Sequence, residues 1–528
     1  MIRYTVFVLV IIVALAAIVF YPSTLAMFVL VVSLPLVALG TYDCWQSKHA
    51  VYRNYPIIGH IRALFESIRP QIRQYLIESD TDGMPFDREE RTLVYQRAKN
   101  VEDKKPFGTE LNIYGDGYEW INHSIAPCDV EVAALRVVIG GDECSSPYSA
   151  SLLNVSAMSY GSLGGNAVAA LNKGAAIGGF AQDTGEGGIS RFHREHGGDL
   201  IWEIGSGYFG CRNKDGSFDA GAFGELAKSS QVKMVELKLS QGAKPGQGGM
   251  LPGAKVTAEI AAARGVSIGS DCISPARHST FSTPVEMLEF IAKMRELSGG
   301  KPAGFKLCIG HPWEIMAIAK AMLSTGILPD FIVIDGSEGG TGAAPVEFSD
   351  HIGMPLREGL VLAHNVLLGC GLRDKIRIGA SGKVVSGFNI AANIALGADW
   401  CNSARGFMFS LGCIQSQHCH KGNCPTGIAT HDKLRQAGLN VETKALQVAE
   451  FHKESLKVLS KIIGAAGLTS SSDLNPEHLM IRQDTDSVLS AKQMYRYLAA
   501  GSLLSNTPVP EPYSQHWERS SAERFQLT

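Results

Sequence analysis

The sequence predicts an α/β chain centred on a (β/α)8 TIM barrel, preceded by an N-terminal transmembrane helical hairpin and followed by a helical C-terminal extension. Three observations carry this reading. Short apolar strands alternate with helix-like stretches from about residue 150 onward. Polar or glycine-rich loops follow the strands, as they do on the active-site rim of a barrel. The competing doubly wound sheet would carry a G-x-G-x-x-G turn after its first strand, and the sequence has none. The segments expected are 1–42 (hairpin), 43–150 (linker or packing subdomain), 151–432 (barrel) and 433–528 (extension).

Thr5–Phe20 and Leu25–Gly40 are uncharged apolar runs joined by Tyr21, Pro22, Ser23 and Thr24. With its flanks, each approaches the roughly 20 residues that cross a bilayer. A signal peptide, Arg3 plus one apolar run, competes; the second run and the lack of a small-x-small cleavage site favour the hairpin. Arg3 precedes the first run, and Lys48, Arg53, Arg62, Arg69 and Arg73 follow the second, so both ends and the barrel are expected in the cytoplasm. A helix is expected over Ile58–Glu78, in a linker with no catalytic signal.

The eight expected strands are Leu153–Ser159, Gly179–Gly185, Lys233–Ser240, Val266–Asp271, Gly304–Gly310, Phe331–Gly336, Ile376–Gly382 and Asp399–Gly406. Pro284–Leu297 and Trp313–Ser324 read as helices between them. SAMSYGS follows the first strand, DTGEGG the second, KLSQGAKPGQGGMLPG the third and DGSEGGTGAAP the sixth. Loops after strands seven and eight commonly bind phosphate, and Gly382, Gly387 and Gly406 would let backbone N–H groups converge on an anion there. One such glycine is ordinarily only a turn; a whole rim of them points to a bound cofactor. The 57 glycines, against a usual share of roughly 7%, fall in these clusters.

Net charge is −3 with Lys and Arg scattered, which excludes a nucleic-acid surface. Eleven cysteines without a disulfide-like framework fit a reduced compartment. Three of them, Cys413, Cys419 and Cys424, form a C-x5-C-x4-C array. Ordinary free thiols are one reading. Zinc, with His418, His420 or His431 as fourth ligand, is a second, although the spacing is not the C-x2-4-C of structural zinc sites. An iron–sulfur cluster on three thiolates is preferred.

On SAMSYGS, TGEGG, LKLSQGAKPGQGGMLPGAKV, GGTGAAP and GCIQSQHCHKGNCPTGIAT, residues from about 150 to 432 resemble the FMN-binding synthase domain of glutamate synthase. The hairpin and linker look like a stand-alone, membrane-anchored branch of that family. The resemblance implies FMN in the barrel and a [3Fe-4S] cluster on Cys413, Cys419 and Cys424, displacing zinc, with electrons passing from cluster to flavin. It implies reduction of 2-iminoglutarate, formed from 2-oxoglutarate and ammonia, to glutamate by hydride transfer from reduced FMN. By the same resemblance the flavin is held by Ala157, Met158, Ser159, Thr184, Lys306, Gly339, Gly340, Thr341, Ser381, Gly382, Arg405 and Gly406. Lys238, Lys306 and Glu186 would be catalytic, and Lys244, Arg264 and Ser282 would bind substrate. A dicarboxylate needs at least two fixed cations, which agrees with that set. Bland alternatives are a surface helix-end arginine for Arg264, a solvated loop carboxylate for Glu186 and a structural role for Asp335.

The chain departs from the family in three places. Met250 stands where a glutamine usually precedes LPG, Pro284 replaces an acidic residue, and no glutaminase precedes the barrel. Free ammonia or another amine is therefore the expected nitrogen source. An N-alkylglutamate synthase-like enzyme on another 2-oxo acid, or an electron-transfer subunit, are the rival readings. Without a nucleotide-binding fingerprint, the electron donor is expected to be ferredoxin or a separate reductase. Leu439–Leu468 reads as one long helix or a pair, 470–505 as helical again, and the last twenty residues as mobile.

Overall fold

The computed structural model describes residues 2–251, 253, 256–342, 344–505 and 508–527. The Met250 side chain, Pro252, Ala254, Lys255 and Ala343, all in or beside expected motifs, lie outside the described residues. The chain divides into two compact units, Met1–Glu89 and Glu90–Thr528.

In the first unit, helices α1 (Thr5–Val19) and α2 (Thr24–Trp45) are apolar and pack on each other. Small residues allow it: Ala14, Ala17 and Ala26 are buried, and a Cβ on Gly40 would collide with the Phe7 ring. Ser23 caps α2 by accepting from the Ala26 N–H at 3.2 Å. Among the described residues only α2, at 22 residues, is long and apolar enough to cross a membrane. Helix α1 has 15 residues and spans about 22 Å, short of a hydrocarbon core of about 30 Å. Of the two spans expected, only one thus has a helix of the required length among the described residues. The Ile58–Glu78 stretch forms α3 (Gly59–Ile72) and a wide π turn, Arg73–Ile77.

The second unit holds a closed barrel of eight parallel strands. They are β1 (Leu153–Val155), β2 (Gln182–Asp183), β3 (Leu200–Ile204), β4 (Val232–Lys238), β5 (Ala303–Leu307), β6 (Phe331–Asp335), β7 (Arg377–Ser381) and β8 (Trp400–Ser403). Each pairs with the next, and β8 closes on β1 through Cys401–Leu153 and Asn402–Asn154. The barrel was legible, but its third strand was not. Val266–Asp271 is no strand, and Leu200–Ile204 (LIWEI), buried at every position, takes the place. KMVELKLS is thus the fourth strand, and the QGAKPG loop follows β4.

Of the C-terminal expectations, the long helix holds and the other two are corrected. Val441–Ala465 is a single helix that packs on Gly165–Gly178, where Gly174 leaves room for Val448. Residues 470–505 are mostly not helical: Leu479–Arg482 pairs antiparallel with Val488–Ser490 on one side and Glu119–Ile121 on the other. The tail is anchored, with Tyr513–Arg519 helical and Lys320 Nζ donating to the Ser520 carbonyl at 2.8 Å.

Candidate active site

Two groups of charge face the barrel's interior and its C-terminal rim. The inner one comes from adjacent strands: Asp183 ends β2, Glu203 lies in β3 opposite Glu236 of β4, and Lys306 lies in β5 opposite Lys238. All of Asp183, Glu203, Glu236 and Lys306 are buried, and the three carboxylates lie within 4.8 Å of one another. Lys306 Nζ donates to Glu203 and sits 3.6 Å from Glu236. Burial opposes the Lys306 charge, but Glu203, Glu236, Asp183 and Asp335 outweigh it and hold the ammonium. Burial and Glu203 push the Asp183 carboxyl up to about 7. Burial and Asp183 raise Glu236 well above the usual carboxylate range. The cluster thus sets two carboxyls biased toward the protonated form around one fixed positive charge.

The rim group has the opposite balance. Glu186, in the loop after β2, lies 3.1 Å from Lys238 Nζ, which also donates to Gln241 Oε1 at 2.6 Å. Burial favours a protonated Glu186, yet Lys238, then Lys244 and Arg264, override it and bring the carboxyl down to about 2. Lys244 Nζ donates to the Gly248 carbonyl at 3.4 Å, and burial lowers its pKa. Arg264 is buried, which overturns its reading as a surface arginine. Its Nη2 donates to the Tyr160 carbonyl at 3.4 Å, and its guanidinium lies 5.0 Å from the Phe209 ring. Three cations therefore face one carboxylate beside a small cleft lined by Glu186, Ser206, Lys238, Gln241, Lys244 and Gly248. Such a surplus suits a small dianion.

Ser282 is not brought to this cleft. Its N–H and Oγ donate to Glu286 at 2.6 and 2.8 Å, at the start of the helix Pro284–Leu297. Asp335 is structural in part, accepting from the Gly242 N–H at 2.9 Å. His278, which the sequence did not single out, links Lys238 O (2.8 Å) to the Tyr208 hydroxyl (3.1 Å), and burial brings its pKa to about 4.

The expected cofactor residues occupy the loops of the same rim. Ala157, Met158 and Ser159 follow β1, and a Cβ on Gly185, at φ +63°, would lie 2.6 Å from the Ser159 nitrogen. Thr184 Oγ1 accepts from the Glu203 N–H at 3.2 Å, fastening β2 to β3. Ser381, at the end of β7 before Gly382, is hydroxyl-bonded to Ser156 at 3.1 Å. After β8, Arg405 Nη2 donates to the Glu338 carbonyl at 2.7 Å, next to Gly406. The loop Gly339–Gly340–Thr341–Gly342 after β6 lies between two partners. A Cβ on Gly340 would stand 3.2 Å from Arg405 Nη1, and one on Gly342 would stand 3.4 Å from Cys419 Cβ. Arg405 and the cysteine loop thus both lie close to this glycine-rich segment.

In the cysteine loop, burial raises Cys413 to about 11 and lifts Cys419, and the thiols act on one another. At Cys424 burial is outweighed by the Thr426 hydroxyl and by backbone N–H groups of Ala429, Thr426 and Ile428, which lower its pKa. Hydrogen bonds to sulfur of this kind fit a thiolate ligand of a soft metal or cluster. His431 lies with Nε2 2.9 Å from the Gly161 carbonyl.

The family model "Conserved region in glutamate synthase" matches residues 128–469. The glutamate synthase large subunit-like protein YerD of Bacillus subtilis is 37% identical over 512 residues, covering 89% of this chain and 97% of its own. An archaeal glutamate synthase of Methanocaldococcus jannaschii, named for NADPH, is 35% identical over 359 residues, 68% of this chain and 66% of its own. This chain covers only 21% of the large chain of the Azospirillum brasilense NADPH enzyme, at 30% identity. The barrel is that of an oxidoreductase acting on CH–NH2 groups. This chain belongs to the glutamate synthase family.

Proposed function

We propose that this chain is a membrane-tethered reductive aminase that converts 2-oxoglutarate and ammonia, through 2-iminoglutarate, to L-glutamate. The observation that carries the reading is the glycine wall from Gly339 to Gly342, in contact with Arg405 on one side and Cys419 on the other. It would give a flavin on the rim and a cluster on Cys413, Cys419 and Cys424 a short common boundary. Ala157–Ser159, Thr184, Lys306, Gly339–Thr341, Ser381–Gly382 and Arg405–Gly406 would hold FMN. When bound, FMN supplies the hydride for imine reduction, and a [3Fe-4S] cluster supplies its electrons, drawn from ferredoxin or a separate reductase.

The chain's own groups do the rest. Lys244 and Arg264 receive the substrate carboxylates. Glu186, ionised by its three cationic neighbours, fixes the Lys238 ammonium, whose Nζ proton serves the nascent amine. Lys306 keeps a positive charge inside the barrel. Apolar helix α2 tethers the chain to the membrane, with the barrel on the cytoplasmic side. Met250, standing in the place of the family's glutamine, supports a second reading, a different 2-oxo acid or an alkylated amine.

The test is spectroscopic. The detergent-purified protein is reduced anaerobically with dithionite, then given 2-oxoglutarate and ammonium. Flavin reoxidation with glutamate formed is the expected result. A flavin that stays reduced with ammonium but reoxidises with methylamine or another oxo acid moves the assignment to the second reading.

A further inference from the structure

We infer that α3 and its π turn, Gly59–Ile77, lie along the membrane surface as an interfacial helix that binds anionic phospholipid; this rests on the reading of α2 as membrane-embedded. At 100° per residue, Ile61, Leu64, Phe65, Ile68 and Ile72 fall in one sector about 100° wide. That sector is open to solvent, with Leu64 58% and Phe65 60% exposed, and the turn continues it with Leu76 at 80%. Arg62, Arg69 and Arg73 line one flank of the sector. Arg62 has a weak 3.9 Å pairing with Glu66, and Arg69 and Arg73 have no carboxylate partner among the described residues. An apolar stripe flanked by arginines is the pattern of a helix seated at the headgroup level.

An exposed apolar stripe could equally cover a protein groove, and a second contact decides for lipid. Asp43, fully buried in the last turns of α2, accepts from the Ile57 N–H at 3.0 Å and lies 2.9 Å from His60 Nε2. Tyr52 stacks on His60 at 4.2 Å. These bonds clamp the start of α3 to the end of α2. At that same end Tyr42 and Trp45 are 59% and 87% exposed, as aromatic residues are at a bilayer boundary. The clamp sets α3 at the depth where α2 leaves the hydrocarbon, so the stripe has acyl chains within reach and the arginines have phosphates.

The test uses the full chain in vesicles of equal parts phosphatidylcholine and phosphatidylglycerol. A photoreactive benzoylphenylalanine replaces Phe65 in one variant and Val31, on the exposed face of α2, in another. Expected are lipid adducts from both positions. At position 65, adducts to phosphatidylglycerol should exceed those to phosphatidylcholine by about tenfold, falling toward parity when Arg62, Arg69 and Arg73 are all changed to Gln. Lipid adducts at position 31 with protein adducts at 65 overturn the inference and leave the membrane tether standing. No lipid adduct at either position removes the tether and the inference with it. Lipid adducts at 65 without headgroup preference overturn the anionic specificity.

Discussion

Lys306 and Lys238 lie opposite each other on neighbouring strands, each paired with a glutamate, yet their surroundings are opposed. Around Lys306, acids outnumber the cation and everything is buried. Around Glu186, cations outnumber the acid and a cleft opens. The contrast shows how one barrel separates a fixed internal charge from a cation-rich cleft on its rim. The inner cluster should therefore govern stability and its pH dependence, and the rim should govern substrate affinity.

The largest effect is expected from Lys306→Met, which strands Glu203 without its cation. Breaking one partner of a buried pair costs about 3–5 kcal/mol, so thermal unfolding should shift down by many degrees, and Glu203→Gln added to it should recover part of the loss. An unchanged melting temperature would erase the distinction between the two clusters.

Next is the pH profile. Folded Asp183 keeps its proton to about pH 7, whereas an unfolded aspartate releases it near pH 4, so the native state holds an extra proton between these values. Stability is full below the unfolded value and declines as pH rises through the folded one, by about 1.4 kcal/mol per unit for each such proton. Unfolding measured from pH 5 to 8 should show that decline, Asp183→Asn should flatten it, and adding Glu236→Gln should flatten it further.

At the rim, Lys244→Ala should raise KM for the oxo acid about tenfold with little change in melting temperature. An equal loss of stability would make Lys244 a packing residue. Smallest of all, Ser282→Ala should cost about 1 kcal/mol through the helix start it shares with Glu286 and leave KM unchanged. A raised KM would return Ser282 to the substrate.

Much of this was legible in the sequence, and the misses have physical causes. Most barrel strands announced themselves as apolar runs ending in glycine. LIWEI also ends at a glycine, Gly205, but Glu203 interrupts its short apolar run, and only Lys306, about a hundred positions later, makes that charge tolerable in the core. Its signal was collective: AQD, LIWEI, MVELK and GFKL each carry a charge within a strand. VSIGSD has apolar alternation without a strand neighbour to pair with. Arg264 looked superficial because no local pattern shows that Tyr160 and Phe209 close over it. The strands near residue 480 depend on pairing with Glu119–Ile121, which no window along the chain contains.

The Lys306 ammonium has one more consequence. Asp183, Glu203 and Glu236 offer three oxygen donors within 4.8 Å, the hard-ligand set that captures magnesium, calcium or manganese. A lysine already placed among them is a counter-ion tied to the backbone, which neither dissociates nor yields to a chelator. Without that lysine the three carboxylates would have either to stay protonated or to take up a cation from solution.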